Sequence, residues 1–186
     1  MKRTVCYLFG LVVSAFVMAI GCPALAGAPS EPLSPEQPMP QSKFTISDGR
    51  MPESTLTVTP SGTFGRATIT VSIAGNFLAN DIAQNYHGTA VWNMYVVAVV
   101  PGALLGQGSP ALFVKSQDES WSPLQSSILP EYRECPILSS PVCWTIPILT
   151  NNDISSLTGT EIYLGVGANL DDLITNRRYR GIYKIP

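Results

Sequence analysis

A single histidine, His87, limits the acid–base chemistry open to this chain of 186 residues. It lies in the turn-like stretch Asn85-Tyr86-His87-Gly88. No Gly-x-Ser-x-Gly elbow supplies it with a nucleophile, so it reads as an exposed turn histidine rather than a member of a Ser-His-Asp triad. The carboxylates add little. Asp171 and Asp172 are adjacent; on a helix they point ~100° apart and do not flank one scissile bond. Their expected role is electrostatic, at the start of a helix. Calcium at Asp153, Asp171 or Asp172 is left open by the residue types, but no EF-hand or repeat pattern supports it.

Two groups of residues are candidates for binding. Arg177, Arg178, Arg180 and Lys184 interleave with Tyr179 and Tyr183, a pattern that suits an anion or polysaccharide contact. The competing reading is a solvated helix end followed by the outer face of a terminal strand. Among the tryptophans, Trp92 falls in an apolar stretch and reads as core, and Trp144 adjoins Cys143. Trp121 follows Gln117-Asp118-Glu119-Ser120 and precedes Pro123, which reads as a loop. Trp121 and Tyr132 are therefore the candidate glycan-stacking contacts.

The cysteines take their meaning from the N-terminus. Residues 1–26 hold Lys2, Arg3, a 16-residue apolar run over 5–20, and then Ala24-Leu25-Ala26. That order reads as a secretory signal peptide, and the run is shorter than the ~20 residues a membrane-spanning helix needs. Cleavage is expected after Ala26, with Ala28 as an alternative. Ala19-Ile20-Gly21-Cys22 also resembles a degenerate lipoprotein box, in which Cys22 would be acylated. Cys6 and Cys22 belong to the leader. Cys135 and Cys143 remain, and in an exported protein they are expected to pair. Closing that short loop would contribute roughly 2–3 kcal/mol. A zinc site fits neither the spacing nor the lone histidine.

Composition bounds the partners. Removing the leader leaves 9 basic against 13 acidic residues, a charge near −4, which disfavours nucleic acid and anionic membrane. Charged residues are only 13% of the chain and hydrophobic residues 45%, enough for a core without whole-chain disorder. About 160 residues make one domain.

The remaining pattern is that of strands. Residues 27–42 carry five prolines and little apolar bulk and read as an extended or disordered linker. The domain is expected over 43–186. Phe44 and Ile46, then Leu56 and Val58, alternate with polar residues. Ile69, Val71 and Ile73 alternate with Thr68, Thr70 and Ser72, and Pro60-Ser61-Gly62 signals a turn before them. Residues 90–100 are apolar on both faces, which predicts a central strand. Further strands are expected over 111–115, 144–149, 161–166 and 180–185, with Pro147 placing its strand at an edge or interrupting it. One helix of about two turns is expected, capped by Asn169, with Asp171 and Asp172 in its first turn and Arg177 and Arg178 in its last. A single turn is expected over 153–157. The sum is an all-β, antiparallel β-sandwich (Ig-like) with one short helix near the C-terminus; a small β-barrel is the alternative.

The stretch from Asp153 through Leu157-Thr158-Gly159-Thr160-Glu161-Ile162-Tyr163-Leu164-Gly165-Val166-Gly167, with Asp172-Leu173-Ile174 and Arg178-Tyr179, resembles a C-terminal signature of secreted proteobacterial accessory modules. These modules occur alone or attached to exoproteins, some similar to pilus-tip adhesins. The resemblance extends thinly upstream, to Tyr95–Val97 and to Trp121, and covers about half the chain after the leader. It departs from the signature at Leu164 and Val166, and at Leu173-Ile174 where the family reads Met-Leu. It implies a β-sandwich-like module with no catalytic residues to transfer.

The expectation is an exported, non-catalytic structural or interaction module of the cell envelope or surface, without a cofactor. Its partners would be other envelope or surface proteins, or glycans; membrane contact would require lipidation at Cys22. A carbohydrate-binding module built on Trp121 and Tyr132 is the alternative, and a hydrolase using unassigned carboxylates comes third.

Overall fold

Period-two patterning forms the first sheet. The computed structural model describes residues 32–41, 56–73, 91–125, 129–136 and 145–186. Strand β2 (Arg66–Ile73) buries Ala67, Ile69, Val71 and Ile73 while Arg66 and Ser72 stay exposed, as expected of a strand with one face in a core. It pairs with β1 (Leu56–Thr63) from Leu56↔Ile73 to Thr63↔Arg66, so the hairpin turns on two residues, Phe64 and Gly65. The turn expected at Pro60-Ser61-Gly62 is therefore displaced, for those residues lie inside β1. Pro60 is tolerated there because β1 is an edge strand, where a missing N–H leaves no ladder bond unmade. Gly62 has φ +86°, and a Cβ on it would meet the Arg66 carbonyl oxygen at 2.2 Å.

Strand β7 (Thr145–Asn152) completes the order β1-β2-β7. Pro147 sits on this edge, as its chemistry requires. The pairing jumps from Ile69↔Leu149 to Thr70↔Pro147, which leaves Ile148 as the extra residue of a bulge. The bulge explains why the neighbours Ile148 and Leu149 are both buried.

The second sheet runs β5 (Trp121–Pro123), β4 (Ala111–Lys115), β3 (Val91–Val100), β8 (Glu161–Gly167), β9 (Tyr179–Lys184), with β6 (Arg133–Pro136) also on β3. All pairings are antiparallel. The central position expected for β3 is the observed one. Its Met94, Val96 and Ala98 join β2, β7 and β8 residues in the core between the sheets, and its Tyr95, Val97 and Val99 join a second cluster on the outer face. The two packed sheets make a sandwich-like all-β fold.

Helix α1 (Leu170–Thr175) contributes Leu173 to that outer cluster, beside Tyr95, Tyr163 and Tyr179. Gly165 makes room for it, since a Cβ there would lie 2.6 Å from Leu173 Cδ1. Asn169 caps the helix, its side chain accepting from the Asp172 N–H at 2.9 Å. The helix has about the expected length, but Arg177 lies beyond its end with φ 52° and turns the chain toward β9, so the arginines expected in the last turn fall outside it.

The described part of the proline-rich segment is not free. Residues 32–41 lie along the β1–β2 hairpin as a strap, with Met39 buried in the core and Leu33 packed against it. Leu33 N–H donates to Ser155 O, Met39 N–H to Gly62 O, and Phe64 and Gly65 N–H to Gln37 O and Pro35 O. The 153–157 stretch is a tight turn, with Asp153 Oδ1 accepting from the Ser155 N–H and Oγ–H. The strand expected at Phe44 and Ile46 lies outside the described residues.

Candidate functional site: a caged lysine where two strands meet

Strands β4 and β6 lie on the same edge of β3. β4 pairs with Val97–Val100 and β6 with Val91–Met94, so the end of β4 at Lys115 and the start of β6 at Arg133 meet opposite Tyr95 and Val96. The chain between them makes an excursion through β5 and returns. Polar side chains collect at this junction.

Lys115 is buried there. Its Nζ lies 5.7 Å from the Trp121 ring centre and 5.6 Å from that of Tyr132, within cation–π range. It also lies 2.8 Å from Glu119 Oε2 and donates to the Glu119 carbonyl at 3.2 Å. Glu119 reaches it because the 116–120 turn is tight: Glu119 N–H donates to Ser116 O and Ser116 N–H to Ser120 O, and Glu119 itself has φ 67°. Its Oε1 accepts from Tyr132 Oη at 2.6 Å and Arg133 Nη2 at 2.7 Å. The Arg133 guanidinium also lies 4.9 Å from the Tyr132 ring centre.

The electrostatics follow from these contacts. Partial burial works to raise the Glu119 pKa, but hydrogen bonds from Lys115, Tyr132 and Arg133 outweigh it and hold the carboxyl at about 2. The Tyr132 hydroxyl is pushed up by burial and by its bond to Glu119. Burial tends to lower the Arg133 pKa, and Glu119 more than reverses that. A carboxylate held this far below neutrality is a fixed anion, not a proton donor for acid catalysis. A tyrosine raised in this way is not a ready base.

The two sequence-derived ligand candidates are thus brought together on either side of Lys115. Trp121 belongs to a strand, not a loop, because Lys115↔Trp121 pairing extends the β4 hairpin. Its ring is half-buried against the main core, and its Nε1 is buried without a hydrogen-bond partner. Tyr132 is fully buried and so is not a stacking surface. Lys115, Glu119 and Arg133 were not singled out by sequence reasoning. Their signal was faint: Glu119 stands four residues after Lys115, but a turn rather than a helix joins them.

The basic C-terminal group is dispersed rather than gathered. Arg178 is buried and pairs with Asp172 Oδ1, which also accepts from Asn176 Nδ2, while Oδ2 accepts from the Ala168 N–H. Lys184 pairs with Glu161 at 2.9 Å, and Tyr179, Arg180 and Tyr183 are buried. No surface patch of the expected kind is assembled from them. Asp172 is a buried anchor, which its adjacency to Asp171 did not reveal. Among the described residues no group of three metal-ligating side chains converges, and no helix is long and apolar enough to cross a membrane. A small void of about 10 Å³ lies between Tyr95, Tyr163, Leu173 and Tyr179, the size of one water at most.

Cys135 lies on β6 opposite Trp92. Cys143, Cys22, His87, Trp144 and the Trp92 side chain lie outside the described residues, and the Cys135–Cys143 bridge with them. Comparison with family models, curated proteins and solved structures finds no match for this chain.

Proposed function

We propose that this chain is an exported, non-catalytic structural or interaction module of the cell envelope or surface. The observation that supports the non-catalytic reading best is the state of a carboxylate on which three side chains converge. Glu119 gives both carboxylate oxygens to internal partners and is held at about 2. Groups arranged in this way fix a junction between strands; they do not wait for a substrate. Export rests on the leader, and absence of a cofactor on the sequence reading.

Intact mass of the protein recovered from the producing cell and its medium tests export. The expected mass starts at Gly27, at Pro29 or at a diacylglyceryl Cys22, with a further loss of two hydrogens for a Cys135–Cys143 bridge. A retained leader would overturn export. A glycan array and a hydrolase panel test the remainder: turnover abolished by one carboxylate substitution would defeat the non-catalytic reading. Glycan binding lost in Trp121→Ala would move the assignment to a carbohydrate-binding module.

A further inference from the structure

The outward face of the β1–β2 hairpin is built almost wholly from hydroxyl side chains. Ala67, Ile69, Val71 and Ile73 of β2 fill the core with Leu56 and Val58 of β1, so the alternate positions of both strands point away from it. Pairing sets those outward residues in rows, as Thr57↔Ser72, Thr59↔Thr70 and Ser61↔Thr68. Thr57, Thr59, Ser61 and Ser72 are exposed, and Thr68 and Thr70, on the middle strand, are half-buried. The first row runs on to β7, where Ser72↔Thr145 adds a further exposed threonine. The only charge on the outward side of the hairpin is Arg66, in the fourth row beside the turn.

Solvation alone does not call for this composition. A well-solvated surface carries charged residues at ~25–35% of its positions, and an edge such as β1 is ordinarily guarded by charge. Here three consecutive rows carry none. Charge complementarity therefore selects the occupant. An acidic or basic partner finds no counterpart on these rows, and with no aromatic ring among them a sugar finds no platform to stack on. What the rows offer is a grid of neutral groups, each able to donate and to accept. Its spacing is ~6.4–6.8 Å along a strand and ~4.7–4.9 Å between strands. These intervals lie close to the repeats of water oxygens along the c and a axes on a prism face of hexagonal ice. The branched Cβ of threonine restricts χ1, so the grid is largely set before it meets a lattice, and little side-chain entropy is lost on docking.

We infer that the outward face of β1 and β2 binds ice. The hydroxyls take places in the first ordered layer of water, and the threonine methyls fill the gaps between them. Neighbouring strands twist by ~20–25°, which confines the match to a few rows, ~13 Å along the strands. A footprint of that size adheres to a crystal and slows its coarsening. This inference stands on the hairpin register, goes beyond the export reading and does not depend on it.

Ice grown slowly from dilute solution excludes ordinary solutes and takes up a protein that binds its surface. The test partly freezes solutions of the fluorescently labelled chain, as recovered from the producing cell, and measures the fraction inside the ice. Thr57→Tyr and Thr59→Tyr are measured beside it, since tyrosine suits a strand but stands its ring above the grid. Gln125→Tyr, exposed just beyond β5 on the other sheet, is the control. The native chain and Gln125→Tyr are expected to enter the ice. The threonine variants are expected to fall to the level of an unrelated protein of equal mass, and loss in either one at unchanged Tm sustains the inference. Exclusion of the native chain from ice overturns it, as does uptake that both threonine variants retain or that Gln125→Tyr loses equally. Retention on crystalline cellulose or chitin without uptake into ice would assign the face to a polysaccharide lattice and overturns it as well.

Discussion

Two carboxylates in this molecule each gather several donors, and they differ in where the surrounding water stops. Asp172 and Arg178 have side chains 4% and 7% exposed. Glu119, opposite Lys115 and Arg133, remains 41% exposed. The Asp172 cluster closes the turn between α1 and β9 and ties down the helix that covers the outer face of the large sheet. The Glu119 cluster joins a buried lysine and tyrosine to a carboxylate at the rim, where water competes for the Glu119 oxygens. The same chemistry is thus expected to act as an anchor in one place and as a locator in the other, because removing one partner of a buried pair strands a charge whereas solvent screens an exposed one.

Asp172→Ala gives the sharpest break. It leaves Arg178 buried without its carboxylate and takes acceptors from Asn176 and the Ala168 N–H. Urea unfolding is expected to show a loss of ~3–5 kcal/mol, the range for a broken buried pair. A loss under ~1 kcal/mol, the range of a surface pair, would erase the contrast. Tyr132→Phe removes one hydroxyl from the rim cluster and keeps the buried ring. Its expected cost is ~1.5–3 kcal/mol, that of a hydrogen bond to a charged acceptor. A cost equal to that of Asp172→Ala would place both clusters on the same footing.

The smallest effect is a pH dependence. The Glu119 pKa is lowered from 4.5 to about 2 in the folded protein, so its contribution is complete above 4.5 and is lost as pH falls toward 2. The difference in Tm between the native chain and Glu119→Gln should therefore be flat above pH 5 and shrink below it. Exposure keeps the amplitude small. A difference that stayed constant down to pH 2 would mean that the carboxylate is not held by its donors.

The elements legible in the sequence were those whose burial is set by one local period. Ile69, Val71 and Ile73 marked β2, the doubly apolar run marked β3, and Ile162 and Leu164 against Tyr163 assigned the two faces of β8. Asn169 marked the helix start, because a cap is a local device. What escaped was set by encounters between distant segments. Strand β6 is four residues without alternation and exists because β3 has a free length of edge beside Met94. Arg178 reads as a solvated helix end until Arg177 reverses the chain and brings it to Asp172. Trp121 and Tyr132 read as exposed aromatics until Lys115 lies between their rings. The proline-rich strap has almost no core-forming composition, yet its one methionine enters the core.

The meeting of β4 and β6 on one edge of β3 gives the molecule an uncommon tolerance. To β3, the two strands act as a single neighbour delivered in two instalments, with residues 116–132 inserted between them. Changes in the length of that insertion need not shift the register of either strand, because each is fixed by its own pairing with β3. The insertion is thus a natural port at which new sequence can be carried without redesigning the sheet, and the Lys115–Glu119 contact marks where its base is held shut.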